Sequence, residues 1–253
     1  MKIAVCVKQV PEAGVQKRID PQTKRLDRSG EAGLNAFDAN AVEEALRIKE
    51  AAGEGEVVLV SMGPPRTLDA MRKALAMGAD RAVLVADDEA AGSDLVATSY
   101  VLGKVLEREQ PDLVLFGQQA SDSDGAVLWA AVAERLRRPL VSQAAEVAVG
   151  DGKVIVKRQT EFGYDRIEAP LPAVVAVSDA VNEPRYPSLK GIMGAKSKPQ
   201  QALSAADVGG AAEPATTALA LAPPPPRGES RRIEDNGNAA DAIVEFLVEK
   251  RLL

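Results

Sequence analysis

Through its first 140 residues the chain alternates short apolar runs with stretches of helical periodicity, the pattern of repeated strand, crossover helix, strand units. The runs Lys2 to Val7, Glu56 to Ser61, Arg81 to Val85 and Leu113 to Phe116 predict strands. Asn35 to Ala52 carries apolar residues at Ala41, Val42, Ala45 and Leu46 and predicts a helix, and Asn35 with Asp38 three residues later has the form of a capping box. A second helix opens on Pro64-Pro65, aligns Leu68, Met71 and Leu75, and stops at Gly78. A third begins at Ser93-Asp94 and ends before Pro111, and a fourth runs from about Gly125 to Leu136.

After Pro139 the grammar changes. Gln143 to Val149, the turn Gly150-Asp151-Gly152 and Lys153 to Thr160 read as an antiparallel hairpin, with Ile167 and Ala173 to Val177 adding extended segments. Ser178 to Pro199 is polar and punctuated by proline, too long for an ordinary connection, and such loops are functional or disordered. Gly209 to Arg227, with consecutive prolines at Pro223 to Pro226, reads as an extended, semi-rigid linker. Helical spacing returns at Ile243, Leu247 and Leu252, so the terminal segment Ala239 to Leu253 predicts an amphipathic helix that must dock on its own domain or on a partner. The expected division is an α/β nucleotide-binding domain over residues 1–199 and a linker with a terminal helix over 200–253.

Composition narrows the chemistry more than it narrows the fold. The 253 residues include no histidine and a single cysteine, Cys6, which removes Ser/His/Asp and Cys/His nucleophilic centres, imidazole bases, Cys/His zinc sites and cysteine-ligated clusters. Cys6 lies in an apolar run and reads as a small buried residue rather than a reactive thiol. A net charge of -6 and 3% aromatics argue against a nucleic-acid partner. No run approaches the roughly 18 apolar residues of a spanning helix, and Met1-Lys2 leads directly into a strand, so a cytoplasmic location without membrane insertion is expected.

Neither G-x-G-x-x-G nor G-x-x-x-x-G-K-[ST] occurs. A parallel sheet nevertheless binds ligands beyond the carboxyl ends of its strands. The segments there are Val7 to Pro11, Ser61 to Pro64 and the polar, glycine-bounded loop Gly117 to Gly125. Backbone N–H groups where that loop enters a helix would hold a phosphate, although such loops also serve merely to turn the chain. Asp122 and Asp124 form an acidic pair, but no further ligand converges on them in sequence, and no metal site is expected.

The stretch Val181 to Lys196, reading Val-Asn-Glu-Pro-Arg-Tyr-Pro-Ser-Leu-Lys-Gly-Ile-Met-Gly-Ala-Lys, resembles the signature segment of the electron transfer flavoprotein beta subunit. Val5 to Val10, Asn35 to Ala45, Ser61 to Pro64, Ala74 to Arg81 and Leu171 to Val175 extend the resemblance, which leaves only the last ~50 residues outside the family pattern. The resemblance implies a parallel-sheet, three-layer α/β domain of the adenine nucleotide hydrolase-like kind, with an antiparallel hairpin addition and an extended C-terminal arm. It also implies an electron carrier without acid, base or nucleophilic chemistry of its own.

In the family a heterodimer carries electrons from flavin dehydrogenases, acyl-CoA dehydrogenases or their relatives, to a quinone-reducing acceptor. Its redox FAD belongs mainly to the alpha subunit, whereas the beta subunit buries a non-redox AMP. The family's AMP contacts fall here on Cys6, Asn35, Ala36, Phe37, Asp38 and Met62, and on the loop Gly117, Gln118, Gln119, Ala120, Ser121, Asp122, Ser123, Asp124, Gly125, Ala126 and Val127. Where many members continue with an Asn/Ala-Gln-Thr/Val-Gly run, this chain has Gly125 to Trp129, which leaves the phosphate to backbone donors. A bifurcating branch replaces AMP by a second FAD and shows an Asp-Gly-Asp-Thr-Ala-Gln-Val-Gly type of loop, which this chain does not reproduce. A non-redox nucleotide module would have no use for the long loop. Arg185, Tyr186, Leu189, Lys190, Ile192 and Met193 are the implied dehydrogenase contacts, Leu189 being the anchor within a basic rim.

Overall fold

The computed structural model describes residues 1–222, 224–226, 230 and 232–253. Residues 1–218 form one compact unit and residues 219–253 a second. Within the first unit, strands β1 (Lys2–Cys6), β4 (Glu56–Met62), β5 (Arg81–Val85), β6 (Leu113–Gly117), β7 (Leu140–Gly150), β8 (Lys153–Thr160), β9 (Gly163–Pro170), β10 (Ala173–Val177) and β11 (Gln200–Leu203) form a sheet, ordered β11-β5-β4-β1-β6-β10-β7-β8-β9. All pairings from β11 to β7 are parallel, while β7-β8 and β8-β9 are antiparallel. A separate two-stranded ribbon joins β2 (Gln9–Pro11) to β3 (Ala32–Leu34).

Helices lie on both faces of the sheet, which is why the central strands are apolar on every residue rather than on alternate ones. Ile3 and Val5 of β1 pack with Val42 and Leu46 of α1 (Ala36–Ala52) and with Met71 and Leu75 of α2 (Thr67–Met77). Ala4 and Cys6 turn to the opposite layer, among Val101 and Val105 of α3 (Leu95–Glu109) and Val132 of α4 (Leu128–Leu136). The expected three-layer α/β fold with an antiparallel hairpin is the observed one. Asp151 and Gly152 take φ of 51° and 73° at the β7-β8 turn, the left-handed pair that a two-residue hairpin loop demands.

Four expectations shift. The fourth helix begins at Leu128, not near Gly125, because Asp124 and Ala126 both sit at φ 46° and interrupt any helical run through the loop. Residues 178–199 are not an unstructured loop: they hold a short turn of helix, Asp179–Val181, and α5 (Leu189–Ala195), whose first turn is capped when Ser188 Oγ accepts from Gly191 N at 3.0 Å. The first unit continues beyond residue 199, since β11 pairs with β5 and completes the sheet. Asn35 precedes α1 as expected, but its side chain makes no capping bond. In the second unit α6 (Ala239–Glu249) forms within the expected terminal helix, and its Ile243, Val244 and Val248 are exposed. The expected proline run includes Pro223, which together with Arg227, Gly228, Glu229 and Arg231 lies outside the described residues.

Candidate functional site: a nucleotide cleft and an exposed helix

Strand order reverses around β1: β4 and β5 extend to one side, and β6 lies on the other. The carboxyl ends of β1, β4 and β6 therefore diverge around a crevice, the usual ligand position in an open α/β sheet. A cavity of about 500 Å³ occupies that place. Cys6, Met62 and Gly117 line it from the three strand ends, Leu95 and Thr98 from the start of α3, and Gly125 to Trp129 from the approach to α4.

The first turn of α1 closes the crevice from behind. Asn35 is fully buried and bridges to the loop after β6: its Nδ2 donates to Gln119 O at 2.8 Å, and its Oδ1 accepts from Ser121 N at 3.2 Å. That use of both amide atoms replaces the capping box read from spacing. Asp38 Oδ2 accepts from Lys8 N at 2.7 Å. Gly117 permits the close approach of α1 to β6, because a Cβ there would lie 2.5 Å from Phe37 C and 2.7 Å from Asp38 N.

The loop itself offers donors. Among the described residues the backbone N–H groups of Gly125, Ala126, Val127, Leu128 and Trp129 donate to no protein acceptor. Left-handed residues alternating with others, as Asp124 and Ala126 do here, turn successive N–H groups into a concavity suited to an anion. Trp129 is fixed beside them by its Nε1 donating to Gln118 O at 2.9 Å.

Charge is concentrated at one wall. The Asp122 side chain has no exposed surface and accepts from Lys8 Nζ at 2.8 Å and from Arg28 Nη2. Burial opposes its ionisation, but hydrogen bonds and charges from Lys8 and Arg28 outweigh burial and hold the carboxyl below its ordinary value. For Asp38 the balance is reversed: burial pushes the carboxyl up to about 7, against hydrogen bonds from Asn35 and Lys8. The Cys6 thiol is pushed far up by burial and by the nearby Asp38, so it stays protonated and acts as an apolar wall.

A second feature lies on α5 and the segment before it. Tyr186 is 95% exposed, Leu189 and Met193 82% each, and Ile192 52%. The backbone beneath them is fastened. Arg185 forks onto α1, with Nε to Glu43 Oε2 at 2.7 Å and Nη1 to Glu50 Oε1 at 2.5 Å. Asn182 Nδ2 donates to Asn40 O at 3.0 Å and to Glu44 Oε2 at 2.9 Å, and Lys198 Nζ donates to Leu75 O at 2.9 Å.

Comparison with known proteins gives the family of the chain. The model of the electron transfer flavoprotein domain family matches residues 23–208. The chain is 38% identical to the electron transfer flavoprotein subunit beta of Mycobacterium tuberculosis, over 99% of both chains. It is 44% identical to the subunit of the same name from Thermoanaerobacterium thermosaccharolyticum, over 82% of this chain and 79% of that one. The chain belongs to the electron transfer flavoprotein beta subunit family. It is also 37% identical, over the whole of both chains, to subunit CarD of the caffeyl-CoA reductase-Etf complex of Acetobacterium woodii. Members are subunits of an electron carrier rather than catalytic enzymes, in keeping with the resemblance read from residues 181–196.

Of the residues that the beta-subunit resemblance assigned to the nucleotide, Cys6, Asp38, Met62, Gly117 to Ala120, Ser123 and Gly125 to Val127 line the cavity. Asn35, Ser121 and Asp122 stand behind it as supports, and Ala36, Phe37 and Asp124 are not part of the lining. Sequence reading placed Lys8 within the strand-end segment Val7 to Pro11 without singling it out, and missed Arg28, Thr98 and Trp129 as lining groups. Lys8 was legible, since it directly follows the first strand; Arg28 lies in an aperiodic stretch between β2 and β3 and carries no such signal. On α5 and the segment before it, Tyr186, Leu189, Lys190, Ile192 and Met193 face solvent, while Arg185 and Lys198 are bonded inward.

Proposed function

We propose that this chain binds AMP in the cleft as a structural ligand, assembles with an alpha subunit that holds most of the FAD, and presents α5 to flavin dehydrogenases, in the cytoplasm. The observation that carries the reading is the run of five N–H groups, Gly125 to Trp129, that among the described residues donate to no acceptor and that share with Lys8 and Arg28 the lining of a cavity of about 500 Å³. Five backbone donors and two cations suit a phosphate, and the volume lies within the range of small-ligand sites. Trp129 gives a base a face on which to stack. The FAD supplies the electron transfer when the complex is loaded. This chain's residues bind and orient: Asn35 holds the Gln119 to Ser121 main chain in place, Gly117 lets α1 close the back wall, and protonated Cys6 excludes water there.

Electrons from acyl-CoA or related dehydrogenases would pass through the carrier to a quinone-reducing acceptor, with Leu189 seated in the dehydrogenase. An exposed leucine and methionine on a helix fastened by Arg185 and Asn182 form a preordered anchor, which lowers the ordering cost of docking. The competing reading puts a second FAD in the cleft in place of AMP. AMP added to a nucleotide-stripped alpha–beta complex should raise its melting temperature, by about 2.7 kcal/mol of stability at a hundredfold excess over Kd, and leave flavin reduction unaltered. No stabilisation by AMP, with strong stabilisation by FAD beyond the first equivalent, would replace this reading with the two-flavin one.

A further inference from the structure

Arg28 belongs to the segment between β2 and β3, remote in sequence from every strand end that forms the crevice, yet it lines the cavity. It is drawn there by Asp122, whose buried carboxylate takes one oxygen to Lys8 and the other to Arg28. Around Asp122 two cations meet one buried carboxylate, a local excess of positive charge that would attract an anion at this end of a cavity whose other lining carboxylates are Asp38 and Asp94. Both cations also retain donors. Among the described residues Arg28 spends Nη1 on Gln9 O at 3.1 Å and Nη2 on Asp122, which leaves three of its five N–H groups. Lys8 Nζ, 2.8 Å from Asp122 and 3.4 Å from Ser123 Oγ, retains a third donor. Side chains at Ala126, Val127 and Leu128 are apolar, so no other side chain of that loop segment can carry charge to a phosphate.

The geometry points to Arg28 and Lys8 as the cationic clamp on the phosphate of the bound nucleotide, with Asp122 as the positioning residue that holds both at the cavity wall. This rests on the reading of the cleft as an AMP site. The same bonds also make the segment before β3 a cover for the phosphate end of the cleft, since Arg28 to Asp122 and Lys17 to Ser121 O tie it across the loop after β6. A Lys replacing Arg28 would keep the charge and lose the fork that reaches Gln9 O and Asp122 together.

Nucleotide-stripped alpha–beta complexes carrying wild-type chain, Arg28→Gln and Arg28→Lys are titrated with AMP and with adenosine, and flavin content reports that each variant is assembled. The clamp predicts at least a tenfold weaker AMP affinity for Arg28→Gln, a smaller loss for Arg28→Lys, and an adenosine affinity within twofold of wild type for both. Unchanged AMP affinity in Arg28→Gln overturns the clamp while the AMP site stands. Equal losses for AMP and adenosine also overturn it, because they assign Arg28 to the shape of the loop alone. Wild-type complex that binds neither ligand overturns the AMP reading itself, and the clamp with it.

Discussion

Gly117 and Gly125 both border the cleft, and a side chain would meet different surroundings at each. At Gly117 a Cβ falls within 2.5–2.7 Å of the main chain of Phe37 and Asp38, which cannot yield without moving α1. Gly117→Ala should therefore cost about 1–3 kcal/mol of folding stability, read as a lowered midpoint in urea. At Gly125 nothing lies within 4 Å and φ is unexceptional, so Gly125→Val should leave stability within about 0.5 kcal/mol but weaken AMP binding by crowding the N–H groups. Asp38 makes a pH prediction. Its carboxyl titrates near the ordinary 3.8 when unfolded and at about 7 when folded, so the native state binds more protons between those values. Stability from this group is full below about pH 4, declines as pH rises to about 7, and levels off above, a span of at most about 4 kcal/mol. The difference between wild type and Asp38→Asn, measured by denaturation across that range, should show this slope. A flat difference would mean that Asp38 is not desolvated as the fold places it. Single residues were only partly legible beforehand: Asn35 and Asp38 have helix-start spacing whether they cap or bridge, and only the folded approach of the 117–121 loop to Asn35 and of Lys8 to Asp38 makes them bridge.

Elements with one strong signal were read correctly, and those defined by tertiary contact were not. β5 (Arg81–Val85) is an apolar run between a glycine-ended helix and a polar segment, and it could hardly be anything else. α5 spans seven residues including Gly191 and Gly194 and follows Pro184 and Pro187, so local propensity argues for a loop. It is helical because Ser188 caps it and it lies on α2, so closely that a Cβ at Gly191 would collide with Ala76 O. α4 starts late for the opposite reason: its expected first turn is spent on left-handed residues that open the N–H groups to the cleft. Leu189 tests the role of α5. It is 82% exposed, so Leu189→Ala should barely alter the melting temperature, yet weaken dehydrogenase binding by about 1–3 kcal/mol. A lowered melting temperature with unaltered binding would place Leu189 in the core instead of at an interface.

The whole molecule comprises two units. Residues 1–218 contain the complete sheet and the cleft, whereas residues 219–253 carry α6, none of whose residues is buried. A chain ending at Ala218 should fold and bind AMP but assemble poorly with the alpha subunit, as gel filtration of the mixed subunits would report. The α/β alternation was visible from strand spacing, and the family, with the three-layer fold it implies, from residues 181–196. The cationic wall was not, because Arg28 reaches it only through the folded path of residues 12–31. The central claim is that the beta-subunit cleft holds a nucleotide that does not carry electrons. Its most direct test is the nucleotide content released by acid from the alpha–beta complex purified without added cofactor. One FAD and one AMP per heterodimer is the predicted result, and two FAD with no AMP would contradict it.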